Sequence, residues 1–388
     1  MVLVASAFAA VDAQQGPLEV IDRNHSAIGY DQPSDDPVAT FLRKSSGSSL
    51  AADSPSGNLA ALLRALKVPA SSQMLVFSKG SVQRSIIEAR NPRALYFNDS
   101  VIVGWVRGGF VEIAAQDPRR GTVFYKAVPG TGGLSISRSD ECLSCHHSAR
   151  TAGVVGLIEP MTHARPLDRR WGGWYVTETA GSIQHFGNVD VATLTSGAAA
   201  PKTPSLASLE RTFDTRGYLS AYSDIAALMV FEHQMQMMNL LTRLGWEARV
   251  AQSEGRLDGS GNAIKDIVEQ TADYMLFIDE APIPSKIEGA SGFAAAFSSR
   301  GPRDAKGRSL RDLDMASRLL RYPCSYMIYS AQFEQLPAGA RTALYQRLWR
   351  ILSGKERDSR YGRLSDADRR AIVEILRGTK PDLPAFFR

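Results

Sequence analysis

Two cysteines separated by two residues and followed directly by a histidine, Cys142-Leu143-Ser144-Cys145-His146, constrain this chain more than any other feature. Only three cysteines and six histidines occur in its 388 residues. Thiols at that spacing can each form a thioether to a vinyl group of one porphyrin, and the adjacent imidazole then falls beneath the iron. The pattern implies one covalent haem c, with Cys142 and Cys145 as anchors and His146 as proximal iron ligand. Small soluble cytochromes wrap one haem in about a quarter of this length. Most of the chain must therefore serve another purpose, such as shaping a pocket or docking a partner.

Two other chemistries use such a cysteine pair. A redox disulfide of the thioredoxin type normally opens a helix after a buried strand, whereas the approach here is the polar Ser137-Arg138-Ser139-Asp140-Glu141. A tetrahedral zinc site needs a second Cys or His pair at similar spacing, and Cys324 stands alone. Cys324 reads as a small buried side chain, and His147 as a surface or propionate contact.

The composition, 44% hydrophobic, supports a sizeable core in one large or two medium domains. Residues 1–13 are apolar and end in small residues, like the remnant of a signal peptide, although no cationic segment precedes them. No later run of apolar residues is long enough for a transmembrane segment. Net charge is +5, and residues 341–388 hold twelve Lys or Arg against six Asp or Glu. Arg347, Arg350, Arg369, Arg370 and Arg377 read as solvated faces of amphipathic helices. The same cationic surface could steer an acidic redox partner or an anionic membrane face. No nucleic-acid motif accompanies these charges.

The patterning predicts an α+β fold. Residues 14–57 form an irregular arm with a short helix near Pro37 to Leu42, and residues 58–194 a β-rich attachment region. A linker over 195–208 then leads to a helical region, 209–388, packing on the haem. A helix is expected over Leu59 to Leu66, followed by short antiparallel strands over Met74 to Ser78, Ala94 to Phe97, Val101 to Val106, Phe110 to Ala115 and Thr122 to Val128. A further hairpin is expected over 171–177 and 182–186, turned at 179–181. Asp224 can cap a long helix to about Arg249. Later helices are expected over Ile264 to Phe277, Ser309 to Leu320, Ala338 to Leu352 and Ser365 to Arg377, with 289–303 as a loop.

What fills the sixth position of the iron separates a carrier from a catalyst. His233 lies in an apolar stripe of the long helix with Met235, Met237 and Met238 nearby; it, His185 and His163 are the candidate distal ligands, and Met161 is a further option. Each also reads as a core residue. Arg165 and Arg170, with Arg169 near Trp171 and Trp174, form a candidate clamp for haem propionates or an anionic substrate.

The segments Asn91-Pro92-Arg93-Ala94-Leu95-Tyr96-Phe97-Asn98, Arg170-Trp171-Gly172-Gly173-Trp174-Tyr175-Val176, His185-Phe186-Gly187-Asn188 and Phe231-Glu232-His233-Gln234 accompany the haem motif. With them the chain, after about residue 70, resembles the large bacterial periplasmic single-haem c-type cytochrome proteins. The resemblance implies thioether roles for Cys142 and Cys145, iron ligation by His146, and export, since haem c is attached outside the cytoplasmic membrane. It assigns no other residue. Electron transfer is the first expectation; a haem-dependent oxidoreductase with an open or labile sixth site, and a haem-based ligand sensor, are the alternatives.

Overall fold

A computed structural model describes residues 19–44, 55–130, 133–158, 162–179, 183–190, 202–256 and 262–387. The fold is α+β, with an antiparallel sheet in the first half of the chain and mainly helices in the second. The expected signal remnant, residues 1–13, lies outside the described residues, as do 191–201, which include half of the expected linker.

Helices α1 (Pro37–Lys44) and α2 (Pro55–Ala65) precede six strands: β1 (Met74–Val76), β2 (Arg93–Phe97), β3 (Val101–Trp105), β4 (Val111–Asp117), β5 (Gly121–Gly130) and β6 (Gly133–Arg138). They pair in chain order as an antiparallel meander. The first five match the sequence reading. β6 went unforeseen because Gly133-Leu134-Ser135-Ile136-Ser137-Arg138 is short of bulky β-formers; its pairing from Tyr125↔Arg138 to Gly130↔Gly133 supplies the ladder that propensity did not. The arm preceding α2 is pinned to the sheet through Asp36. This carboxylate accepts from the N–H groups of Val38 and Ala39 at the start of α1 and from the Tyr125 hydroxyl on β5, 2.5 Å away.

After β6 the chain forms α3 (Leu143–His146) and then runs back along a long helix, α4 (Ile225–Ser253). Asp224 caps α4 as expected, accepting from Ala226 N–H at 2.8 Å. About 44 Å long at 1.5 Å per residue, α4 is buried on every side from Ile225 to Trp246 except at Gln236. The apolar stripe inferred around His233 is therefore part of a stretch enclosed on nearly every side, the spine of the molecule. Leu157 meets Asn239, His163 meets His233, Arg170 meets Glu232 and Thr177 meets Ile225, so residues 157–158 and 162–177 lie antiparallel beside the helix.

The remaining helices, α5 (Asn262–Met275), α6 (Phe293–Ser299), α7 (Ala331–Glu334), α8 (Ala338–Leu352) and α9 (Asp366–Thr379), complete the second half. α8 has the expected bounds, and α9 opens with Ser365 and Asp368 in a reciprocal capping box. Three expectations are corrected. Ser309 to Leu320 is not a helix: Asp312 accepts from Ser309 N–H at 2.9 Å, Met315 turns at φ 59°, and Leu313 bridges Leu320. Short acidic side chains there compete with helical hydrogen bonding. The loop at 289–303 contains α6. Instead of a 171–177/182–186 hairpin, β7 (Gln184–His185) pairs with β8 (Thr203–Pro204).

The cationic C-terminal faces are also corrected in part. Arg347 is 8% exposed and bonded to Glu356 and Tyr361. Arg369 donates to the carbonyls of Leu364, Ile351 and Tyr361, and Arg377 to that of Phe387. The Arg369 and Arg377 guanidinium groups satisfy backbone acceptors that helix ends leave open, and Arg350, Arg370 and Arg377 stay exposed. No helix among the described residues is long and apolar enough to cross a membrane.

Candidate haem-attachment site

A short helical turn over Asp140 to Cys142 leads into α3. Cys142, Cys145 and His146 thus occupy positions i, i+3 and i+4 of one helical stretch and share a face. Cys142 is half-buried and Cys145 exposed, and neither thiol is in a disulfide. Burial pushes the Cys142 thiol up from its ordinary pKa.

His146 is oriented by the backbone. Its Nδ1 lies 2.9 Å from the carbonyl oxygen of Gly156. A carbonyl only accepts, so Nδ1 carries the proton and Nε2 keeps its lone pair, the tautomer that a metal-ligating histidine needs. Burial holds the imidazole below its usual pKa, which keeps it neutral at pH 7. The ring packs on Phe124 of β5 at a centroid distance of 4.6 Å.

The Gly156 carbonyl is itself fixed. Gly156 N–H donates to His146 O at 3.0 Å, and Asn239 on α4 holds the next residue, accepting from Leu157 N–H at 2.9 Å and donating to Leu157 O at 2.7 Å. A side chain at position 156 would run into the Asn239 carboxamide, which explains the glycine. Phe124, Gly156 and Asn239 carried no signal in the sequence, since each acts through a contact between distant segments.

The three candidate distal histidines lie elsewhere in the core. His163 and His233 are buried edge to edge, Nδ1 to Nδ1 at 3.3 Å, over Tyr274 of α5 and Phe277 in the turn that follows it. His233 Nε2 also contacts Ser325 Oγ at 2.8 Å, so both its nitrogens have protein partners. His185 Nε2 meets Ser205 Oγ at 3.0 Å, and its ring stands edge-on to Trp171. Burial lowers all three imidazole pKa values, His185 to about 4 and His233 to about 3.

Arg170 is 2% exposed; it pairs with Glu232 at 3.1 Å and donates to the backbone carbonyls of His163 and Arg165. It ties the descending segment to α4, a structural task that competes with the clamp role expected from sequence. Arg165, half-buried, offers its carbonyl to Arg170. Met161 lies outside the described residues. His147 donates from Nε2 to the Ile21 carbonyl at 2.9 Å, and Cys324 is fully buried, its thiol pushed up to about 12.

Among the described residues, no group of three or more His, Cys, Asp or Glu converges on a metal ion. That geometry concerns ions held by side chains alone, whereas a haem iron takes its equatorial ligands from the porphyrin and needs only axial ones. Two unbridged thiols and a pre-oriented neutral imidazole on one helical face fit a covalent haem. No protein-family model, curated protein or solved structure matches the chain.

Proposed function

We propose that this chain is an exported c-type cytochrome that carries one covalent haem and transfers electrons in the periplasm. One observation carries the reading: His146 donates from Nδ1 to the Gly156 carbonyl, which leaves Nε2 able to ligate iron from the helical face that bears Cys142 and Cys145. Bound there, the haem supplies a reversible one-electron couple between ferric and ferrous iron. Cys142 and Cys145 would anchor it, while Gly156, Asn239 and Phe124 fix the His146 ring. Arg370, exposed on α9, belongs to the surface that could face an acidic redox partner.

The test is expression with a c-type haem maturation system, followed by the pyridine haemochrome spectrum and intact mass. One haem is expected on the wild type, and none bound covalently on the Cys142→Ser/Cys145→Ser double variant. A wild type that matures without gaining a haem's mass would falsify the reading.

A second reading, a haem-dependent oxidoreductase or ligand sensor with an open or labile sixth site, is favoured by the engagement of His163, His185 and His233 with partners in the protein. Ferric haem that is high-spin and binds cyanide or azide supports it; low-spin haem indifferent to both supports the carrier.

A further inference from the structure

The face of the sheet on which His146 rests also carries a guanidinium. Ala114 and Phe124 pair directly across β4 and β5, and the next row on that face joins Gly104, Glu112 and Lys126. Arg93, two residues before Leu95 on β2, belongs to the same face by alternation, since Leu95 pairs with Gly104. Successive residues on one face of a strand are about 7 Å apart. The Gly104, Glu112 and Lys126 row is therefore the immediate neighbour of the ring under His146, and Arg93 starts one row beyond it, with its side chain reaching back over Gly104 to Glu112.

Arg93 lies flat on this surface. Its guanidinium occupies the space that a side chain at Gly104 would fill, and its Nη2 is ion-paired with Glu112. The charges of Arg93 and Glu112 both reach the Cys142 thiol and the His146 imidazole. The pair is mostly buried, with Arg93 21% and Glu112 15% exposed by side chain. Arg93 Nε is a buried donor with no hydrogen-bond partner among the described residues. A buried guanidinium N–H left unmet costs free energy, and a second carboxylate arriving at that edge would relieve it. Nearby Lys126 is already engaged, with Glu141 at 3.2 Å and over the Phe110 ring at 4.0 Å.

The geometry points to Arg93 as the residue that binds a haem propionate, held in place by Glu112 and given room by Gly104. This inference rests on the proposed haem attachment. It moves the propionate contact from the Arg165 and Arg170 loop to the sheet beneath the attachment helix. The guanidinium fork suits a carboxylate bidentately, and a cation beside the macrocycle disfavours the extra positive charge of ferric haem, raising the midpoint potential.

The experiment measures the midpoint potential of the haem-loaded full chain by spectroelectrochemistry for wild type, Arg93→Gln, Glu112→Gln and the Arg93→Gln/Glu112→Gln double variant. A lowered potential is expected in Arg93→Gln and also in the double variant, because the lost propionate contact does not depend on Glu112. A double variant at the wild-type potential means that Arg93 only neutralises Glu112, and overturns the inference, as does an unchanged Arg93→Gln. Arg93→Met, which fills the site without a charge, serves where the Gln variant does not accumulate; a lowered value supports the contact and a wild-type value overturns it. A wild type without covalent haem defeats the functional reading as a whole, whereas a loaded wild type with indifferent Arg93 variants defeats this inference alone.

Discussion

His163 and His233 meet Nδ1 to Nδ1 at 3.3 Å with their ring planes 12° apart, joining a loop to the buried spine of the molecule across 70 residues of sequence. A neutral pair shares one proton between the two nitrogens, and each ring is packed against the faces of Tyr274 and Phe277. His233 also contacts Ser325 through its other nitrogen. Ligation of iron by His233 would require it to abandon one of these partners. His233→Ala is accordingly expected to leave the spin state of the ferric haem unchanged while lowering the melting temperature. Conversion from low-spin to high-spin in the electron paramagnetic resonance spectrum would restore His233 as an axial ligand.

Acid should destabilise the fold through its buried imidazoles. His185 titrates near 4 in the folded chain because burial disfavours its cation, against about 6.5 when unfolded. Below 6.5 the unfolded chain takes up a proton that the folded one refuses, so the histidine's contribution is complete above that pH and lost as pH falls towards 4. Glu232 and Glu280, each pushed up to about 7 by burial, run the other way, favouring the folded state below about 4.5 and losing that contribution as pH rises through 7. Comparing wild type with His185→Gln isolates the histidine. Urea midpoints of the two proteins should converge as pH drops from 7 to 5, and a gap that stays constant would refute the assignment.

Arg170→Met should be among the most damaging substitutions in the chain. It strips the Glu232 carboxylate of its cation and leaves the carbonyls of His163 and Arg165 without their donor, at a site 2% exposed. Removing one member of a buried ion pair costs about 3–5 kcal/mol. Chemical denaturation measures this directly, and a loss below about 1 kcal/mol would mean that the pair is no better than a surface bridge.

Gly156→Ala should disturb the orientation of His146, the proposed proximal ligand, through the backbone carbonyl that holds it. The added methyl collides with the Asn239 carboxamide and displaces the Leu157 clamp that steadies the carbonyl facing His146. Overpacking of this kind costs about 1–3 kcal/mol. Ser is expected to be no better tolerated than Ala, because the clash begins at Cβ. A variant with wild-type stability and wild-type haem content would show that the loop relaxes freely.

The local geometry of the pentapeptide follows from its spacing: Cys142, Cys145 and His146 fall on one helical face wherever that turn is placed. Locally encoded elements were legible for the same reason. Asp224 before an apolar run, Ser365 with Asp368, and turn residues between β-formers each state their structure within a few positions. The partners of the histidines and arginines were not legible. His163 looks equally suited to iron, core or surface until the fold brings Tyr274 and His233 beside it, and Arg170 looks like a loop cation until Glu232 faces it from the helix. Sequence by itself determined an α+β chain with one Cys-x-x-Cys-His turn, because propensity, capping and motif spacing act over a few residues. Only the tertiary structure decided which polar side chains are spent on holding the core together and which are not, because that depends on burial and on contacts between segments far apart in the chain.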